Sequence, residues 1–256
     1  MPNLKVTLLQ QPLVWMDGPA NLRHFDRQLE QIHGRDVIVL PEMFTTGFAM
    51  EAAVQSLPEE DVIAWMHEKA QQTNALVAGS AALQTERGPV NRFLLVEPEG
   101  SVHRYDKRHL FRMADEHHHY EAGNERVVFE WRGWRILPLV CYDLRFPVWS
   151  RNRNDYDLVL YVANWPAPRS LHWQALLTAR AIENQAYVLG CNRVGTDGNG
   201  HHYRGDSRVI DQQGEIIATA EPHQATLIHA ELSLTALTDY REKFPAWQDA
   251  DAFTLS

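Results

Sequence analysis

Two cysteines in 256 residues, no long apolar run and a shortage of basic residues limit what this chain can be. Cys141 and Cys191 could pair, but a chain of this size held by disulfides would carry more, so free thiols are expected. No window approaches the roughly 18 consecutive apolar residues that a membrane span requires. Met1 to Gln10 lacks the basic start, apolar stretch and cleavage site of a secretory signal, so a reducing, cytoplasmic setting with no membrane partner is expected. Lys and Arg number 24 against 33 Asp and Glu, a formal charge of -9 that repels a phosphate backbone and argues against nucleic acid. There is no Gly-x-Ser-x-Gly elbow and no P-loop, and Gly198-Asn199-Gly200 lacks the later glycine of a dinucleotide fingerprint. Serine hydrolase and nucleotide chemistry therefore have no anchor, and no cofactor is expected. No Ser/Gly linker, composition shift or repeat divides the chain, so residues 1–256 read as a single domain.

Hydrophobic residues make up 45% of the chain and charged residues 22%, enough to bury a large core. The apolar runs are short and β-branched, and helical patterns separate several of them, which predicts an α/β layered fold. Strands are expected at Lys5 to Leu9, Asp36 to Leu40, Leu76 to Leu83, Phe93 to Glu97 and Ser101 to Tyr105. Pro98-Glu99-Gly100 turns the last two into a hairpin, so the sheets are mixed. Later strands are expected at Trp134 to Val140, Leu158 to Ala163, Tyr187 to Asn192, Ser207 to Ile210, Glu215 to Ala218 and Thr226 to Glu231. Helices are expected behind Asp17-Gly18-Pro19, where Leu22, Phe25, Leu29 and Ile32 share a face, at Pro58 to Gln72, from about Leu144 and over Leu171 to Gln185. Two helix layers enclosing two sheets would use all of these elements.

Three strands end in reactive groups: Leu40-Pro41-Glu42, Asp106-Lys107 and Val140-Cys141-Tyr142-Asp143. In α/β folds ligands commonly bind just past such strand ends, where the scaffold holds the loops rigidly. A free cysteine has a pKa of about 8.5, so a cysteine nucleophile needs a base or a positive neighbour. Glu42 could take its proton and Lys107 could stabilise thiolate and oxyanion. Taken singly, each is more often a buried small hydrophobe or a solvated charge.

The motifs around these residues resemble those of the nitrilase superfamily of carbon-nitrogen hydrolases over nearly the whole chain. LPEMFTTGF (Leu40 to Phe48) is similar to that family's glutamate motif, YDKRHLF (Tyr105 to Phe111) to its lysine motif and CYDLRFP (Cys141 to Pro147) to its cysteine motif, in the family's order. ARAIENQAYV (Ala179 to Val188) and GDSRVIDQQGEIIA (Gly205 to Ala218) resemble two further segments. The resemblance implies a four-layer α-β-β-α sandwich, paired as a homodimer through outer helices. It implies Glu42 as general base, Cys141 as nucleophile, and Lys107 as oxyanion donor beside the N–H of Tyr142. A second active-site glutamate lies seven residues before a Pro-Gly-Asp turn in the family. The corresponding turn here is Ala122-Gly123-Asn124, which points to Glu116, with Glu121 as the alternative.

Within the superfamily the chain most resembles bacterial omega-amidases, which hydrolyse the side-chain amide of 2-oxoglutaramate and 2-oxosuccinamate. That resemblance makes Arg145 a substrate-carboxylate anchor, a task suited to its planar two-pronged guanidinium, and makes Asn164-Trp165-Pro166 a pocket wall. The same Glu-Lys-Cys triad would serve an N-carbamoyl amide hydrolase or a nitrilase, while a catalytically silent binding module would have no chemical need for it. His117-His118-His119 and His201-His202 raise a metal reading. Adjacent histidines diverge on a strand and lie about 100° apart on a helix, so no metal site is expected from them. Cys191 lies within an apolar strand, where packing is its default role.

Overall fold

The computed structural model describes residues 3–254. Alternating and fully apolar strands build two six-stranded mixed sheets. The first holds β1 (Asn3–Gln10), β2 (Val37–Val39), β3 (Leu76–Thr85), β4 (Gly88–Val96), β5 (Val102–Asp106) and β14 (Thr226–Ser233), in the order β14-β1-β2-β3-β4-β5. The second holds β6 (Phe129–Trp131), β7 (Trp134–Val140), β8 (Leu158–Ala163), β9 (Tyr187–Asn192), β12 (Arg208–Ile210) and β13 (Ile216–Thr219), in the order β13-β12-β9-β8-β7-β6. β1, β2 and β3 run parallel with antiparallel neighbours outside them, and β7, β8 and β9 repeat that arrangement. The central strands of the two parallel trios are β2 and β8, and their C-terminal ends lead into Glu42 and Asn164.

The two-residue period of a strand sorts its side chains between layers. In β2, Val37 and Val39 join the core between the sheets, with Val6 and Leu8 of β1 and Leu139, Leu158 and Leu160 of the second sheet. Ile38 and Leu40 point the other way, onto Phe25, Leu29, Val62 and Met66. Those four lie on α1 (Gly18–Leu29) and α3 (Glu59–Thr73), which cover the outer face of the first sheet; α2 (Ala52–Gln55) is a single turn. The Asp17 carboxylate caps α1 by accepting from the N–H of Ala20 at 2.9 Å, and such a cap is worth about 1 kcal/mol. On the second sheet, α5 (Ser170–Asn184) packs Trp173, Leu177 and Ala181 inward, with α4 (Pro147–Ser150) before it and α6 (Leu234–Lys243) after the last strand. The result is the expected α-β-β-α sandwich. Among the described residues no helix is long and apolar enough to cross a membrane.

Several elements depart from the sequence reading. Instead of a helix beginning at Leu144, a 3-10 turn spans Cys141–Arg145 and α4 follows from Pro147. The strand expected from Phe93 begins at Gly88, because Thr85 and Gly88 close a tight hairpin with β3. The small sheet of β10 (Val194–Thr196) and β11 (His202–Arg204) stands outside the sandwich, in a stretch to which the sequence reading assigns no element.

Candidate active site

Three strand ends converge. Glu42 follows β2, Lys107 follows β5, and both are fully buried with Glu116, which enters from a 3-10 turn at Glu116–His118. Lys107 Nζ donates to Glu42 Oε1 at 3.0 Å and to both oxygens of Glu116, at 2.9 and 3.0 Å. Burial opposes the charge of Lys107, but the carboxylates of Glu116 and Glu42 outweigh it and hold the ammonium well above the usual lysine range. The backbone of Lys107 is bonded on both sides: its N–H donates to Asn91 C=O at 2.9 Å, and its C=O accepts from Gly123 N–H at 2.9 Å. A Cβ at position 123 would sit 2.1 Å from Asp106 O, so this close approach requires glycine. Glu121, the alternative second glutamate, is exposed and its N–H is committed to Pro89 C=O. The structure thus brings Glu116, not Glu121, to Lys107.

Asn91 and Asn164 complete the surroundings of Glu42. Asn91 Nδ2 donates to Oε1 at 2.8 Å, the backbone N–H of Asn164 donates to Oε2 at 2.7 Å, and Asn164 Nδ2 donates to the Glu42 carbonyl at 2.7 Å. Sequence reasoning missed Asn91. The available signal was a neutral polar residue beside Arg92 in an otherwise apolar strand, which if buried must have partners.

Cys141 opens its 3-10 turn with φ at +44°, a left-handed backbone that a side chain rarely adopts. Asp143 holds the turn from below. Its fully buried carboxylate accepts from the N–H of Val140 at 3.0 Å, the Tyr105 hydroxyl at 2.8 Å, and the N–H of His109 at 3.0 Å, with His109 Nδ1 at 2.7 Å. The Cys141 thiol lies within reach of the charges of Glu42 and Lys107. Burial and the charge of Glu42 push that thiol well above the ordinary cysteine range, against the pull of Lys107, so at neutral pH it rests protonated. Cys191 is fully buried inside β9, with Leu9 and Val39 carbonyls as its neighbours.

A cavity of about 620 Å³ opens onto Cys141 and Lys107. Tyr142, Arg145, Asn164, Trp165 and Pro166 line it, as the motifs lead one to expect. Arg145 stacks over Trp165, 4.8 Å from the ring centre, and its Nη2 lies 3.0 Å from His172 Nδ1. Sequence reasoning missed the opposite lip, which comprises Phe111, Met113 and Arg169 together with Asp197, His201, His202 and Tyr203 of the β10–β11 hairpin. His117 and His118, expected to diverge, instead tilt together with ring centres 3.9 Å apart, because they share a tight 3-10 turn rather than a strand or α-helix. With Asp115 they bring possible ligand atoms within 4.8 Å of one another at the surface. Asp115 and His118 are exposed to solvent there.

Comparison with known proteins places this geometry in context. The carbon-nitrogen hydrolase family profile matches residues 5–242. The chain is 83% identical over 255 residues to "Omega-amidase YafV" of Escherichia coli strain K12, covering 100% of both. It is 37% identical to a "2-oxoglutaramate amidase" of Bacillus subtilis strain 168, over 84% of each chain. A solved CN-hydrolase superfamily structure from Xanthomonas campestris, with an arsenic adduct in its active site, superposes with a TM-score of 0.98 at 44% identity over 100% of both chains.

Proposed function

Because the chain belongs to the carbon-nitrogen hydrolase family, we propose that it is an omega-amidase that releases ammonia from the terminal amide of 2-oxoglutaramate or 2-oxosuccinamate. The observation that carries this reading is the pairing, in one cavity, of Cys141 with an Arg145 guanidinium that has no carboxylate partner among the described residues. A dicarboxylic acid monoamide presents the missing anion at one end and the scissile amide at the other. An uncharged amide or nitrile leaves Arg145 unpaired, which disfavours the nitrilase reading.

The groups present suffice for a thioester route. Glu42 accepts the thiol proton as sulfur bonds to the amide carbon, and the developing oxyanion is met by Lys107 and the N–H of Tyr142. The carbon-nitrogen bond breaks and the proton held by Glu42 leaves with ammonia. Glu42 then takes a proton from water, whose oxygen attacks the thioester; the acid departs and the proton returns to sulfur. Glu116 touches Lys107 rather than the thiol, and its role is to keep that ammonium aimed and charged.

Residues 1–256 read as one such domain, working in a reducing, cytoplasmic setting that keeps Cys141 a thiol. The outward side of α5 presents Leu171 and Ile182, 76% and 53% exposed, and α4 presents Val148 at 56%. Such a stripe supports a homodimer through this helix, which sedimentation would register as twice the chain mass. The function is tested by ammonia release from 2-oxoglutaramate, glutamine, asparagine, a carbamoyl amine and a simple nitrile. The omega-amidase reading expects 2-oxoglutaramate to lead the panel, and preference for the carbamoyl amine or the nitrile would replace it.

A further inference from the structure

The cavity holds a second arginine that the thioester route does not use. Arg169 ends the 3-10 turn Ala167–Arg169 and lines the same cavity as Cys141 and Arg145. Its guanidinium lies 5.4 Å from the centre of the Phe111 ring and, among the described residues, has no ion-pair partner. Trp165 ties the two arginines together, since its ring face carries Arg145 while its Nε1–H donates to the Arg169 carbonyl at 2.7 Å. Each guanidinium therefore rests over an aromatic ring, which holds it without neutralising its charge.

The carboxylates around the cavity are already committed. Glu42 and Glu116 share Lys107. Asp197, on the hairpin side, is 8% exposed and accepts from the Tyr203 hydroxyl at 2.8 Å and from the N–H groups of Asn199 and His201, both at 2.9 Å. Among the described residues Arg145 and Arg169 thus carry the unpaired positive charge of the cavity, while Asp197, the carboxylate at the hairpin lip, has its oxygens filled by neutral donors.

We propose that Arg169 and Arg145 form a two-arginine clamp for the 2-oxo-carboxylate end of the substrate, and that Arg169 is the residue that excludes α-amino acid amides. This rests on the omega-amidase reading above. Glutamine and 2-oxoglutaramate share chain length, amide and carboxylate, and differ only in an ammonium where the other has an oxo group. The oxo oxygen accepts a hydrogen bond from a guanidinium, whereas the ammonium meets a second like charge in a partly desolvated site. Discrimination built from a repulsive contact as well as an attractive one is the expected route to a large ratio between near-isosteres.

The test is steady-state kinetics of the full chain and of Arg169→Gln and Arg169→Lys on 2-oxoglutaramate and glutamine, with folding checked by thermal unfolding. In Arg169→Gln, kcat/KM for 2-oxoglutaramate is expected to fall about 10- to 100-fold, mainly through KM, while that for glutamine holds or rises, so their ratio collapses by at least tenfold. Arg169→Lys keeps the charge but not the fork, and is expected to bind 2-oxoglutaramate poorly while still rejecting glutamine. A ratio left unchanged by Arg169→Gln, whether both substrates are slowed equally or neither is, overturns the clamp while the omega-amidase reading stands. A wild-type chain that fails to favour 2-oxoglutaramate over glutamine overturns both.

Discussion

Glu42 and Asn164 meet at 2.7 Å, carboxylate oxygen to backbone N–H, at the ends of the central parallel strands of the two sheets. The repeated strand order makes these positions equivalent in their own sheets, and face-to-face packing brings them together. One sheet supplies the carboxylate and the other a donor that holds it. Asn91 adds a second donor and also fixes the backbone of Lys107 through its carbonyl.

Asn91→Ala is therefore expected to lower kcat about 10²-fold with little effect on KM, since misplacement of about 1 Å in a catalytic group costs that much. Ammonia release from 2-oxoglutaramate measures it. A variant with wild-type kcat would mean that Glu42 is held well enough by Asn164 and Lys107 alone.

Lys107→Met leaves two buried carboxylates facing each other without their cation. Breaking a buried ion pair costs about 3 to 5 kcal/mol, so the melting temperature is expected to fall by roughly 10 °C and activity to be lost. The double variant Lys107→Met/Glu116→Gln recovers part of the stability but none of the activity. Because the pKa of Lys107 is raised on folding, its contribution is fully present below the unfolded lysine value, about 10.4, and is lost only as pH rises through the higher folded value. In Lys107→Met the two facing carboxylates hold a proton more tightly than in the wild type, so the stability gap should widen as pH rises above the unfolded glutamate value of about 4.3, followed by calorimetry.

Cys141 and Cys191 should separate in reactivity. Cys141 lines the cavity, whereas Cys191 is sealed between the sheets. Iodoacetamide is expected to label Cys141 alone in the folded chain, and Cys141→Ala to abolish turnover while Cys191→Ala does not. Since burial and Glu42 raise the Cys141 pKa, labelling should keep climbing with pH through the range about 8 to 10. Glu42→Gln removes one of the charges that raise it, so that variant should lose hydrolysis yet label faster at neutral pH. Equal labelling of both cysteines by mass spectrometry would contradict the assignment.

The long strands and the helices with an apolar face were legible because burial imposes a period on them: Tyr187 to Asn192 and Leu158 to Ala163 are read with their observed bounds. The three-residue strands β6, β10 and β11 were not, since unlike the equally short but fully buried β2 and β12 they keep exposed residues and form no apolar run. Helix α6 was missed for a related reason, as it buries only Leu237 and so shows no apolar stripe. At the site, Glu42, Lys107 and Cys141 could be read from strand-end chemistry and motif order. Asn91, Arg169 and the Asp197–Tyr203 lip could not, because their part depends on which strand ends the two sheets bring together.

Arg145→Ala should separate recognition from chemistry. Losing a charge-assisted pair worth roughly 1.5 to 3 kcal/mol lowers kcat/KM for 2-oxoglutaramate by about ten- to a hundredfold or more. Pentanamide, with no carboxylate, should be affected far less. Arg145→Lys keeps the charge without the fork and is also expected to be poor. An equal drop on both substrates would make Arg145 a brace for its turn, through His172, and not an anchor.

The central claim is that Cys141 carries the acyl group of a 2-oxo dicarboxylic acid during turnover. Acid quenching of the enzyme in the first turnovers on 2-oxoglutaramate, followed by peptide mass spectrometry, tests it most directly. The predicted result is a 2-oxoglutaryl adduct on the peptide containing Cys141, removable by hydroxylamine, absent from the Cys191 peptide and absent in Cys141→Ala. Rapid ammonia release with no adduct on Cys141 under any quench time, or an adduct on another residue, would contradict the account.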